Sequence, residues 1–262
     1  MICEFLGSGT SFGVPSIGCD CGVCRSEDPR DNRLRASIMV EHAGQRIIVD
    51  AGPDFRQQCL RANIATLDGI LITHGHADHI FGLDDARQFT YRSKKPLPLL
   101  VPDHTWPTIS QVYQYAFAEA PSGLTRPKFE PQICTNGTQL EFAEFAITPL
   151  PVIHGSDLIS GFQIEAGGAV LVYLTDCKHL PDETVEAAKS ANVVVLSALW
   201  RQDWKHPSHL NLEEALEWAE RIAAPQLYLT HLTHFIGLHA ETSARLPAQV
   251  DLAHDGLRFE VA

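Results

Sequence analysis

The 262-residue sequence predicts an α/β protein built in layers. Three observations predict it. Short apolar runs of strand length recur, and several end on one polar residue. Segments with helical spacing fall between them. One run, Gly69 to Thr73, ends in a dense polar cluster, His74-Gly75-His76-Ala77-Asp78-His79. In α/β layers, strand ends are where sites are built.

The elements follow in order. Ile2 to Leu6 is strand-like and leads into a loop rich in Gly, Ser and Thr through Pro15. Ala36 to Glu41 and Arg46 to Asp50 pair as a hairpin around Ala43-Gly44. Phe55 to Asn63 is helical, Gly69 to Thr73 a buried strand, and helical spacing resumes after His79 through Leu83 and Ala86. Leu99 to Val101 is a strand and Thr108 to Phe117 a helix. Pro121 to Pro131, with three prolines and a glycine, reads as a loop. Gln139 to Pro149, Ser160 to Glu165 and Ala169 to Thr175 are strands. Asp182 to Ala191 is a helix whose acidic first turn suits the helix dipole. Val193 to Leu196 and Gln226 to Thr230 are buried strands. Between them Leu212 to Ala223 is helical, with Asn211 as N-cap. Residues 1–262 read as one domain.

Bulk properties narrow the function. The net charge is −12, which argues against nucleic acid as the partner but leaves room for a local basic pocket. No apolar run spans a membrane, and the N-terminus has no basic region followed by an apolar stretch, so a cytoplasmic protein is expected. The 7 cysteines are odd in number, with three crowded at Cys19, Cys21 and Cys24. That spacing suits reduced thiols around a metal better than disulfides.

The cluster at residues 74–79 carries the chemistry. His74 and His76 lie on one side of an extended segment. Asp78 and His79 follow a turn of the chain and can face a second ion. Imidazole and carboxylate together suit zinc, manganese or iron. Single ligands then come from other strand ends: His154 after Ile147 to Ile153, Asp176 after Leu171 to Thr175, and His231 after Leu227 to Thr230. Separately, Gly18 and Gly22 allow a tight turn around the three thiols. Cys3, Cys59, Cys134 and Cys177 stand alone and read as buried thiols.

With its H-x-H-x-D-H motif and those three single ligands, the chain resembles the metallo-β-lactamase superfamily along nearly its whole length. The resemblance implies a four-layer αββα sandwich. It places one catalytic metal on His74, His76 and His154, and the other on Asp78, His79 and His231, with Asp176 bridging. The superfamily's lactamases usually carry Cys where Asp176 stands, which points to phosphoesters. A closer resemblance is to the PhnP-like phosphodiesterases. It rests on Gly7 to Pro15 leading into Gly18 to Cys24, on Thr230-His231-Leu-Thr-His234, and on Ser208-His209-Leu-Asn-Leu-Glu before a helix. It implies a structural zinc on Cys19, Cys21, Cys24 and His234, a closed Cys₃His set. It also implies manganese in the catalytic pair and a homodimer.

The expected reaction is hydrolysis of a small phosphodiester, cyclic ones included, by a hydroxide shared between two divalent metals. Asp78 and Asp176 are counted among the catalytic residues, and His209 is expected to hydrogen-bond a phosphoryl oxygen or protonate the leaving group. His206 is the weaker competitor. Asp50 is expected to accept a ligand histidine's N–H. Gly7, Gly9 and Gly13 read as backbone turns, since Walker spacing and its Lys are missing. Arg87, Arg92, Lys94 and Lys95 read as a solvated face, and residues 94–131 as the source of a pocket wall. Competing readings are a tRNase Z-like ribonuclease, a PqqB-like protein, a thioester or lactone hydrolase, and a non-catalytic metal binder. The basic exosite arm of tRNase Z is not seen in the sequence.

Overall fold

The computed structural model describes residues 1–118, 125–201 and 204–262. Two seven-stranded sheets form its centre. The first half of the chain supplies β1 (Ile2–Gly7), β2 (Ser37–His42), β3 (Gln45–Val49), β4 (Gly69–Leu71), β5 (Leu97–Pro102) and β6 (Phe129–Cys134). The second half supplies β7 (Leu140–Phe142), β8 (Phe145–His154), β9 (Asp157–Ala166), β10 (Ala169–Leu174), β11 (Val193–Ser197), β12 (Gln226–Thr230) and β13 (Val250–Leu252). The last strand, β14 (Arg258–Glu260), returns to the first sheet. The orders are β14-β1-β2-β3-β4-β5-β6 and β13-β12-β11-β10-β9-β8-β7.

The layers follow from which face each strand residue buries. Val193 and Val195 point between the sheets, with Phe5, Val40, Phe162 and Tyr173. Val194 and Leu196 point outward, onto Val185, Trp218 and Ile222 of the helices Asp182–Lys189 and Leu212–Ile222. On the other side Ile48, Ile70 and Leu99 pack against Phe55, Leu83, Ile109 and Tyr113. Each sheet is thus buried on both faces, giving α, β, β and α layers. Each fully buried aliphatic or aromatic side chain contributes roughly 1.5–3 kcal/mol. At Gly69 a Cβ would lie 2.2 Å from the Phe142 ring of the opposite sheet, so the sheets close only on a glycine there.

Several expectations are revised. The segment Gln139 to Pro149 is two strands, β7 and β8, separated by a turn in which Ala143 takes φ 56°. The loop expected over residues 121–131 lies partly outside the described residues, and its end, Phe129 to Pro131, is strand β6. Proline is tolerated there because β6 is an edge strand. The helix expected over Thr108 to Phe117 is broken at Tyr113 into Trp106–Val112 and Gln114–Phe117. Strands β13 and β14 were not expected.

Direction decides where the site forms. β3, β4, β5 and β6 run parallel, as do β10, β11 and β12. β8 is antiparallel to β9, which is antiparallel to β10, so β8 shares their direction. The C-terminal ends of β3, β4, β8, β10 and β12 carry Asp50, His74, His154, Asp176 and His231. A hydrogen bond of 3.2 Å from the Ser160 N–H to the Thr73 carbonyl ties the two sheets at that end.

Candidate metal centre

Asp50, Asp176 and His231 each leave their strand with left-handed backbone, at φ 65°, 51° and 60°. Asp and His tolerate this region better than most residues. The reversal turns each side chain out of its sheet toward one point. Ala51 and Gly52 then pass under the helix Ala77–Ile80. The Ala51 N–H donates to the His79 carbonyl at 2.8 Å, and a Cβ on Gly52 would sit 2.0 Å from the Asp78 carbonyl oxygen.

Two groups of side chains result. His74, His76, His154 and Asp176 offer ligand atoms that all lie within 4.8 Å of one another, and so do Asp78, His79, Asp176 and His231. Asp176 belongs to both. Its Oδ2 faces His74 Nε2 at 3.8 Å, while its Oδ1 faces His231 Nε2 at 3.2 Å and His79 Nε2 at 3.4 Å. Asp78 Oδ2 completes the second group, 3.2 Å from His79 Nε2 and 3.7 Å from His231 Nε2.

Three of the remote nitrogens are already engaged. His79 Nδ1–H donates to Asp50 Oδ2 at 2.6 Å. His74 Nδ1–H donates to the Thr73 hydroxyl at 3.0 Å, which donates onward to Asp50 Oδ2 at 2.8 Å. His154 Nδ1–H donates to the Ser208 carbonyl at 2.9 Å. Each bond fixes a tautomer and turns a bare Nε2 inward. The Nε2 atoms of His74, His79 and His231 are buried and make no hydrogen bond. Thr73 and Ser208 were missed from sequence. Thr73 adjoins the motif, but Ser208 acts through its backbone and leaves no residue-type signal.

Charge points the same way. Burial pushes the Asp78 and Asp176 carboxyls up, yet the facing imidazoles outweigh it and hold both well below the usual carboxylate range. Burial pulls His79 down, but Asp176 and Asp50 hold it well above the ordinary imidazole value. Burial and the neighbouring imidazoles leave His74 well below it. Two ionised carboxylates in a buried pocket of bare imidazole nitrogens form a donor set that fits divalent cations.

His209 stands over this cluster. Its ring centroid lies 4.7 Å from that of His154 and 5.1 Å from that of His231. Burial, then His231, pushes His209 down to about 3. His206 lies 5.0 Å further out and accepts from the Ser208 N–H at 3.2 Å.

The thiol loop forms a separate group. Cys19, Cys21, Cys24 and His234 also offer ligand atoms within 4.8 Å of one another, with Cys24 Sγ 3.4 Å from His234 Nδ1. The Cys24 amide pulls Cys21 down, whereas burial pushes Cys24 up to about 11. His234 is held by the 3₁₀ turn His234–Ile236, capped by the Thr233 hydroxyl. Leu232 exchanges backbone hydrogen bonds with Ser8 and Thr10, so the glycine-rich loop, the thiol loop and the His231 segment are joined. Gly7, Gly9 and Gly13 serve this packing: a Cβ on Gly7 would meet the Arg35 carbonyl oxygen at 1.9 Å. Cys3, Cys59, Cys134 and Cys177 are buried and unpaired.

Of the segment 94–131, Thr108 lies against the cluster, where a Cβ on Gly75 would meet its Cγ2 at 2.8 Å. Tyr113 is core, with its hydroxyl donating to the Ile80 carbonyl at 2.6 Å, and Trp106 packs on Phe117. Arg87 and Lys94 join Arg126 and Lys128 around a cavity of about 600 Å³ whose lining includes none of the clustered histidines. Arg92 and Lys95 are exposed. Among the described residues no helix is long and apolar enough to cross a membrane.

Known proteins share this arrangement of chain. The model of the β-lactamase superfamily domain matches residues 45–232. A solved structure described as a new diphosphatase from the PhnP family is 38% identical, with a TM-score of 0.89 over 98% of this chain and 96% of that one. An octanoyltransferase of Porphyromonas gingivalis is 38% identical over 98% of this chain, which spans only 51% of that protein's length. A ribonuclease Z of a Mycobacterium species is 28% identical, covering 89% of this chain and 92% of the relative.

Proposed function

Because the chain belongs to the β-lactamase superfamily and to its PhnP family, we propose that it is a metal-dependent phosphodiesterase acting on small, including cyclic, phosphodiesters. One observation carries this reading. Asp176 turns its two oxygens to two different sets of histidines, the arrangement of a carboxylate shared by two ions. His74, His76, His154 and Asp176 would hold one divalent cation, and Asp78, His79, His231 and Asp176 the other. Zinc, manganese and iron all suit these donors. Such a pair, when bound, supplies Lewis acidity toward a phosphoryl oxygen and lowers the pKa of water.

The chain's own residues do the rest. Asp50, Thr73 and Ser208 fix which nitrogen of His79, His74 and His154 faces inward. His209 is neutral at ordinary pH, so it acts by offering an N–H to a phosphoryl oxygen as charge builds there. Cys19, Cys21, Cys24 and His234 would hold a structural zinc, since four donors close a tetrahedron and leave no open position. The small phosphodiester is the partner we expect in a homodimer. The unpaired thiols support a reducing, cytoplasmic setting.

A second reading, hydrolysis of a diphosphate linkage, is favoured by the relative described as a diphosphatase. A phosphoanhydride presents similar non-bridging oxygens to the same residues. The net charge of −12 disfavours the ribonuclease reading. A panel separates these: 2′,3′-cyclic and linear phosphodiesters, dinucleoside diphosphates, an octanoyl thioester and precursor tRNA, assayed with metal analysis. Turnover of phosphodiesters is expected. Turnover confined to the thioester or to precursor tRNA would overturn the proposal.

A further inference from the structure

The His209 ring is held differently from its neighbours. Its Nδ1 is buried and makes no hydrogen bond, whereas the Nδ1 atoms of His74, His79 and His154 are all engaged. Beyond its ring contacts, His209 is therefore placed through its backbone. Lys178 Nζ donates to the His209 carbonyl at 3.3 Å and to both carboxylate oxygens of Glu214 at 3.0 Å. An ammonium has three N–H groups, and here each has an acceptor. Glu214 is the third residue of the helix Leu212–Ile222. Its carboxylate accepts from the Asn211 N–H at 3.1 Å, and its own N–H donates to Asn211 Oδ1 at 2.8 Å.

The backbone of Lys178 is fixed at the metal centre. It lies two residues after Asp176, and its N–H donates at 2.8 Å to the carbonyl of Ile153, the residue before His154. Leu210, next after His209, donates to the Cys177 carbonyl at 2.9 Å. Lys178 thus reaches from the strand ends that carry Asp176 and His154 to the His209 carbonyl. Helix stability does not account for a lysine at this place. Asn211 and Glu214 cap the helix without it, and a cation beside a helix N-terminus opposes the dipole.

We propose that Lys178 is a positioning residue for His209, with Glu214 holding its ammonium in place, so that the imidazole stands at a fixed distance from the two ligand groups. The inference rests on the role given to His209 in the phosphodiesterase reading. That role is exercised only as charge builds on the phosphoryl oxygen, so a displaced ring lowers kcat and leaves KM unchanged. A displacement of about 1 Å costs on the order of 10²-fold in rate.

A double-mutant cycle on the full zinc-loaded chain, with 2′,3′-cyclic AMP as substrate, tests this. Lys178→Met keeps the apolar stem and removes the donors. Alone it should lower kcat about ten- to a hundredfold, with KM and zinc content unchanged, and K178R should recover most of the loss. In the H209A background K178M should lower kcat no further. E214Q keeps an acceptor for the Asn211 N–H, should show a smaller loss, and runs through the same cycle should K178M not fold. The His209 imidazole proton resonance, identified by its absence in H209A, should shift in K178M and return in K178R. Equal losses from K178M with and without His209 would overturn the proposal, as would an unmoved resonance. So would loss of zinc from K178M, which would make Lys178 a support of the ligand strands. If the unaltered chain hydrolyses no phosphodiester, that reading fails, and the resonance still decides the role of Lys178.

Discussion

The carboxylate of Asp50 receives His79 Nδ1–H directly at 2.6 Å and holds His74 through the Thr73 hydroxyl. One fully buried side chain thus orients a histidine from each of the two ligand groups. Asp50→Asn keeps the shape but can present an N–H where the imidazole needs an acceptor. Metal affinity should fall roughly 10–100-fold. Competition titration with a chelator, read at both metal positions, checks it; weakening at one position only would contradict the shared role.

Asp176→Asn should release both ions, because each group loses one carboxylate oxygen. His154→Ala should chiefly release one. Metal analysis of the two purified variants gives the comparison. If D176N kept two tightly held ions, Asp176 would not be shared between the groups.

His209 donates to no metal group in this reading. His209→Ala should leave the metal content intact and lower kcat by about 10²–10⁴-fold. Unchanged turnover would remove His209 from the reaction.

Not all of this was open to sequence reasoning. The clustered side chains were legible because metal coordination calls for those residue types and the fold favours strand ends, so chemistry and position coincide at His154, Asp176 and His231. The αββα layers came from resemblance, not from periodicity. Val193 to Leu196 buries both faces, so its alternation between two cores has no polar half to mark it. Edges were harder still. β13 and β14 are three-residue edge strands carrying Asp251 and Arg258, and β6 carries Pro131. The β7–β8 turn escaped notice because Ala143, not glycine, takes the left-handed position. Thr73 and Ser208 act through one hydroxyl and one carbonyl, neither of which repeats in a pattern.

Removing one of the four thiol-loop donors should act on stability before chemistry. Cys21→Ser or His234→Ala should release one zinc and lower the melting temperature, at roughly 2–4 °C per kcal/mol lost. Leu232 pairs with the loop residues Ser8 and Thr10, so slackening should reach His231 and weaken the catalytic metals secondarily. Calorimetry with metal counting checks the order of loss.

Stability should also carry a pH signature away from the centre. His239 accepts at Nδ1 from the Arg33 guanidinium at 3.2 Å. Burial first, then Arg33, pushes it down to about 4. The unfolded chain protonates this histidine near its ordinary value of 6.5, while the folded chain resists. The unfolded state therefore binds more protons across that window, and stability falls as pH drops from about 6.5 toward 4. Denaturant titrations of the unaltered chain and H239Q should show a shallower slope in the variant.

The shared strand-end geometry has a consequence for the unfolded chain. Asp78, His154, Asp176 and His231 are far apart in sequence but meet at one point. Ions bound there would cross-link four distant places along the polymer at once. Closing such long loops is where a tie removes the most freedom from a disordered chain. The atoms that serve catalysis would thus also act as a clasp on the chain's entropy, joining its first and second halves.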